Sequence, residues 1–222
     1  MRTLGFVATF VAASLFAAAS AVLAEEVSCT GVLPPGTYDS ITVLPAASCA
    51  IAGSIVKGNV TALAHARLLI SASQVGGSIE SDQADVVHVF TTSVGDNIRV
   101  ERGGPVPGFV FEVEICGTSV RKGSIEVERM TGDFLIGDPA FGCAGNTVPR
   151  GSIKVEDNDV FAFKLDVSNN IVGADVEVAN NRGVGPKFVQ LNKVGHRVKC
   201  EANTAPFVGG PNAVAEAEGQ CF

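Results

Sequence analysis

After residue 24, apolar and polar residues alternate in short runs: Ile98-Arg-Val100, Ile125-Glu-Val127, Ile153-Lys-Val155, Val176-Glu-Val178. A period of two buries one face of each run and leaves the other wet, which predicts half-buried strands, and the β-branched residues suit them. No helical period appears in this stretch. Each strand is opened by a similar step. The seven copies are Val56-Lys-Gly-Asn-Val60, Val75-Gly-Gly-Ser-Ile79, Val94-Gly-Asp-Asn-Ile98, Val120-Arg-Lys-Gly-Ser-Ile125, Val148-Pro-Arg-Gly-Ser-Ile153, Val172-Gly-Ala-Asp-Val176 and Val194-Gly-His-Arg-Val198. From Val60 the anchors are spaced by 19, 19, 27, 28, 23 and 22 residues. A second apolar run closes most copies, as in Val86–Phe90, Val110–Ile115 and Val160–Leu165.

A repeat of two or three short strands cannot bury its own apolar face, so copies must stack, each coil pairing with the next. The expected fold is an all-β, single-domain parallel β-helix of seven to eight rungs. The variable period favours a right-handed helix with unequal loops over a strict hexapeptide solenoid. An antiparallel sandwich also shows short alternating strands, but seven like copies fit a Greek key poorly.

Residues 1–24 carry one charge, Arg2, then a long apolar run ending in Val22-Leu23-Ala24 before Glu25-Glu26. This reads as a cleaved signal peptide, with residues 25–222 as the exported domain and no membrane anchor after cleavage. Export changes the meaning of the six cysteines, which are then expected in disulfides. Cys116 and Cys143 precede Val120 and Val148 by four and five residues, so they occupy nearly equivalent places on successive rungs. Stacked positions lie about 4.8 Å apart, within disulfide range. Cys116 is therefore expected to pair with Cys143, Cys29 with Cys49 around the first coil, and Cys200 with Cys221 around the last.

Net charge is −7, from 16 Lys+Arg and 23 Asp+Glu, which argues against nucleic acid as a partner. Aligned rungs carry two outward columns. One alternates in sign: Glu80, Arg99, Glu126, Lys154, Glu177, Lys199. The other places Asp82, Glu101, Glu128 and Glu156 on four consecutive rungs. Like charges that close repel. This column reads either as a solvated acidic face, helped by Arg102 and Arg129, or as a stripe for a cation such as Ca²⁺. No other cofactor is implied.

Cys29-Thr-Gly-Val-Leu-Pro-Pro-Gly-Thr-Tyr38, the recurring Val-x-Gly-Asn/Ser steps, Cys143-Ala-Gly-Asn-Thr-Val148, Lys199-Cys200-Glu-Ala-Asn-Thr-Ala-Pro206 and Glu218-Gly-Gln-Cys221 together resemble uncharacterised small secreted bacterial proteins with right-handed parallel β-helix repeats. The resemblance implies that fold and an extracellular or periplasmic location. It brings no agreed activity and no catalytic residues.

For function, the expected reading is a non-catalytic structural or surface-interaction module. Its partner would be an envelope polysaccharide, a protein or another copy of itself. The competing reading is a polysaccharide lyase or hydrolase. His196-Arg197 and Arg197-Val-Lys199 faintly echo such enzymes, but no paired acids accompany them. Aromatic residues are few, with one Tyr, no Trp and 13 Phe placed mostly in apolar runs or the leader. His65, His88 and His196 share no metal-binding spacing. An acidic cleft beside residues 103–115 or 129–147 would favour an enzyme, and a smooth cylinder would favour the module.

Overall fold

The computed structural model describes residues 26–221; the expected signal peptide lies outside the described residues. Three parallel sheets of ten, nine and eight strands form the faces of a prism, and the chain visits them in turn. In one coil, Ile79–Asp82 lies in the first sheet, Val86–Phe90 in the second and Ser93–Val94 in the third. The next coil repeats this one strand over, pairing Ile79 with Ile98 and Val87 with Val113. This is the parallel β-helix that the repeat implies. A right-handed sense is the general rule for crossovers between parallel strands.

Every anchor of the repeat points inward. Val60, Ile79, Ile98, Ile125, Ile153, Val176 and Val198 are fully buried in one continuous core with the valines of the third sheet. The ladder is longer than the expected seven to eight rungs. Glu26–Cys29 and Ser40–Val43 extend the first sheet before Val60–Ala62, and Glu216–Gly219 extends it after Arg197–Glu201. These end strands lack the Val-x-Gly step, so the repeat does not reveal them. The disulfides join Cys29 to Cys49, Cys116 to Cys143 and Cys200 to Cys221, with Cα separations of 5.7, 4.8 and 5.2 Å. The first and last hold terminal coils, whose sheet edges would otherwise be the weakest part of a solenoid.

The corners are polar, and buried amides fill two of them. Between the second and third sheets, Ser54, Ser73, Thr92, Thr118, Asn146, Asn170, Asn192 and Asn212 stack coil upon coil. The backbone N–H of one coil donates to the side-chain oxygen of the next, as from Thr118 to Asn146 and from Asn146 to Asn170, both at 2.9 Å. Between the first and second sheets, Asn158, Asn181, Asn203 and Gln220 repeat the device. The residue before each ladder position commonly has a left-handed backbone, among them Ala72, Thr91, Asn169 and Leu191 at one corner and Asp157, Asn180 and Ala202 at the other. That conformation turns the chain sharply and aims the next side chain inward. The third corner is more open and brings coils into close contact: a Cβ on Gly95 would lie 1.8 Å from the Gly76 carbonyl oxygen. This contact, repeated at Gly76, Gly173 and Gly195, gives the Gly directly after the valine of these steps its physical reason.

Two inward positions break the apolar rule: Ser81, buried between Ala62 and Val100 in the first sheet, and Lys187 in the second. Lys187 continues the column Val113, Phe134, Leu165 and is fully buried. Its Nζ donates to the carbonyls of Gly185 at 2.8 Å and Gly183 at 3.1 Å, and burial lowers its pKa. The loop at 182–186 supplies those carbonyls, so the buried ammonium keeps hydrogen-bond partners.

Candidate functional site

Both outward charge columns run in register on the first sheet. Glu80, Arg99, Glu126, Lys154, Glu177 and Lys199 are successive partners, and three neighbouring pairs make ion contacts: Arg99–Glu126 at 3.7 Å, Lys154–Glu177 at 3.9 Å and Lys199–Glu177 at 3.3 Å. Asp82, Glu101, Glu128 and Glu156 are likewise direct neighbours. Arginines meet three of these four carboxylates. Arg102 pairs with Asp82, Arg99 and Arg129 flank the buried Glu101, and Arg129 also reaches Glu128 at 3.5 Å. Glu156 lies beyond this cover. Its pKa is raised, first by burial and then by the charges of Glu177 and Glu128. Among the described residues, no three His, Cys, Asp or Glu side chains gather as a metal-holding group. Asn158, between Asp157 and Asp159, belongs to the buried amide ladder.

The second sheet carries the features that set this β-helix apart. The two longest repeats spend their extra residues on excursions over its outer face, at 103–112 and 137–146. A third excursion is a bulge at 161–164, where Gly132 pairs with Val160 but Phe134 pairs with Leu165. Asp133 pins this bulge, its Oδ1 accepting the N–H groups of Ala162, Phe163 and Lys164 at 3.3, 2.9 and 3.0 Å. Glu112 performs the same task for the first excursion, accepting from the N–H groups of Val106 and Asp133. Burial raises the pKa of both acids, and the backbone donors offset only part of that rise. Cys143 fastens the second excursion to Cys116 on the coil before.

These excursions bring phenylalanines together. Phe111, Phe141 and Phe163 form a mutual edge-to-face cluster, with centroids 6.2, 5.4 and 5.6 Å apart. Phe109 packs edge-on to His88 at 5.9 Å, and the Arg67 guanidinium lies 5.3 Å from the centre of its ring. Phe109, Val110, Phe141, Phe161 and Phe163 are nevertheless exposed. Phe161 and Phe163 belong to the apolar run Val160–Leu165, yet the bulge turns them outward, and Phe109 and Phe141 lie outside the apolar runs altogether. The loops hold these rings at the surface because their backbones are pinned by buried carboxylates.

Beneath the cluster lies Lys164, buried with Asp138 and Asp166. Lys164 Nζ contacts Asp138 Oδ2 and lies 3.0 Å from Asp166 Oδ2, with the Phe141 ring centre 3.9 Å away. Burial pushes the Asp166 pKa up to about 6, against the opposing effects of Ser168 and Lys164. At Asp138, burial is outweighed by Lys164 and the Ala140 N–H, and its carboxyl titrates below the usual range. Sequence reading passed over Glu112, Asp133, Asp138, Lys164 and Asp166. For Glu112, Asp133 and Asp138 the one signal is excess length in two repeat copies; Lys164 and Asp166 lie in a copy of ordinary length and have none.

Beside the first excursion a groove of about 320 Å³ opens toward the N-terminal coils. Its floor is one residue per coil, Val32, Ala50, Leu69 and His88, and Phe109 and Arg67 form its wall. It is apolar rather than acidic, and the surface is not a smooth cylinder. The acids of the excursions face inward to backbone N–H groups and to Lys164, away from the groove. His88 donates from Nε2 to the Phe111 carbonyl at 3.0 Å, and His65 sits with Asp85 on another face. No family model, no curated protein and no solved structure matches this chain. Among the described residues no helix is long and apolar enough to cross a membrane.

Proposed function

We propose that this protein is exported, of the same kind as the small secreted β-helix proteins it resembles, and acts as a non-catalytic binding module. Its working surface is the outer face of the second sheet, and its partner is a protein. The apolar leader and three disulfides support export. The observation that carries the binding reading is the set of exposed phenylalanines held on pinned loops beside an apolar groove. Aromatic anchors on a rigid frame are what protein interfaces use at their centres. A polysaccharide would need many directional donors and acceptors for its hydroxyls, and this groove offers few beyond Arg67 and His88. Hydrolysis or elimination would need acids or bases that face bound substrate, whereas Glu112, Asp133, Asp138 and Asp166 are each used internally.

Two measurements test this reading. Incubation with acidic and neutral polysaccharides, followed by assays for new reducing ends and unsaturated products, should give no product. Co-sedimentation with isolated envelope fractions, before and after protease treatment, should show retention that depends on envelope protein. The Leu69→Ser/Phe109→Ser variant should lose that retention while keeping wild-type circular dichroism. Product formation abolished by substituting one of these acids, or retention indifferent to both protease and the double substitution, would overturn the proposal.

A further inference from the structure

We propose that Lys164 and Asp138 are joined by an intramolecular amide bond, making the second excursion a covalently closed loop at both ends. Cys143 already fastens one end of this excursion to Cys116. Asp138 lies at its other end, in contact with a lysine 26 positions further along the chain. Both side chains are buried, with Phe141 and Phe188 around the Lys164 Nζ at 3.9 and 5.7 Å. Buried ions keep a desolvation penalty even when paired. Condensation removes one ion of each sign from this apolar site. Holding two groups in contact also supplies the entropy that an amide-forming encounter otherwise lacks.

Asp166 completes the arrangement. Its Oδ2 lies 3.0 Å from the same Nζ, and Ser168 hydrogen-bonds its other oxygen. Burial lets it hold a proton at a pH where an ordinary aspartate is ionised. The chemistry balances without any other reagent. The ammonium gives a proton to Asp166, which passes it to an Asp138 oxygen, leaving an amine and a carboxylic acid. The Nζ lone pair attacks Asp138 Cγ. Asp166 takes a proton from Nζ and passes it to the departing hydroxyl. The Nζ–Cγ bond forms, a Cγ–O bond breaks, one water leaves and Asp166 is restored; nothing is oxidised or reduced.

The test is mass spectrometry of the whole protein after its disulfides are reduced and alkylated. The expected mass is one water below that calculated for the alkylated chain from its own N-terminus, and fragmentation should locate the loss to a branched peptide joining the segments around Asp138 and Lys164. Lys164→Arg should show the full mass. Asp166→Asn should keep the lysine and its partner but slow or abolish the water loss. A full-mass wild-type protein, with these segments recovered as separate peptides, overturns the proposal. So does a water loss located elsewhere, such as at a cyclised N-terminal glutamate. Because the decisive measurement is on the wild-type chain, a variant that fails to fold does not obscure the answer. Binding by the aromatic face is measured separately, so either proposal can fail without the other.

Discussion

Replacing Asn170 with alanine removes one step from the amide ladder that lines a corner of the prism. Asn170 is fully buried and its side chain makes four hydrogen bonds. Oδ1 accepts from the backbone N–H and the Nδ2 of Asn146 at 2.9 and 3.0 Å, and Nδ2 donates to the Ile136 carbonyl at 2.8 Å and to Asn192 Oδ1 at 3.0 Å. Truncation leaves partners for some of these groups. Asn146 Nδ2 keeps the Ile115 carbonyl, and Asn192 Oδ1 keeps the Asn170 N–H. The buried Asn146 N–H loses its acceptor, which costs about 1–3 kcal/mol, and the other three bonds contribute about 1 kcal/mol each. The expected loss is therefore about 4–6 kcal/mol, large for one substitution. Asn170→Asp should be as damaging at neutral pH, because an acceptor would then face the Ile136 carbonyl and Asn192 Oδ1. Asn170→Thr should recover part of the loss, since Thr118 fills the same column and its hydroxyl accepts from the Thr92 N–H. Urea unfolding followed by circular dichroism measures all three, with an unchanged m-value securing the comparison. If alanine costs less than about 1 kcal/mol, or threonine is no better than alanine, the ladder is not what holds this corner.

Further substitutions probe other parts of the fold. Gly95→Ala should cost at least about 3 kcal/mol and lower the thermal midpoint sharply, because the new Cβ meets backbone of the adjacent coil; an unchanged midpoint would contradict the close approach. Thr91 is exposed with φ of 45°, where a β-branched residue is strained. Relief of about 1–2 kcal/mol exceeds the entropy that glycine costs, so Thr91→Gly should stabilise by about 0.5–1 kcal/mol in the same urea assay, and a loss of stability would refute it. Glu156→Gln should stabilise by up to about 1 kcal/mol at pH 7. Burial and Glu177 raise the folded-state pKa of Glu156, so the ionised side chain penalises the fold above that pKa. As pH falls through it, the wild type takes up its proton and the advantage of glutamine should vanish. An advantage that persists at pH 3 would assign the effect to something other than charge.

The repeat was legible because stacking makes each coil obey one rule. Ile98, Ile125 and Ile153 occupy one inward column, so their spacing alone identified both the strands and their register. The cysteine pairs followed from that register, as did the two charge columns. The amide ladders were harder to read. Ser54, Thr92 and Asn170 differ in type, and only their shared place behind a left-handed residue reveals them as one column. Lys187 stands in a sequence that reads as an ordinary strand, and nothing local announces that the carbonyls of Gly183 and Gly185 receive its ammonium.

What the order of residues determined without help is therefore periodic: strand positions, coil stacking, bridge partners and the sign of each charge along the first sheet. Tertiary structure alone decided the aperiodic part. Phe109, Phe141, Phe163, Lys164 and Asp138 come from three excursions of unequal length, Asp166 from the strand just after the third, and no repeat relates one to another. Their meeting depends on how far each loop folds back across the second sheet. That distance is fixed by buried carboxylates gripping backbone N–H groups from other coils, contacts that exist only once the prism has closed.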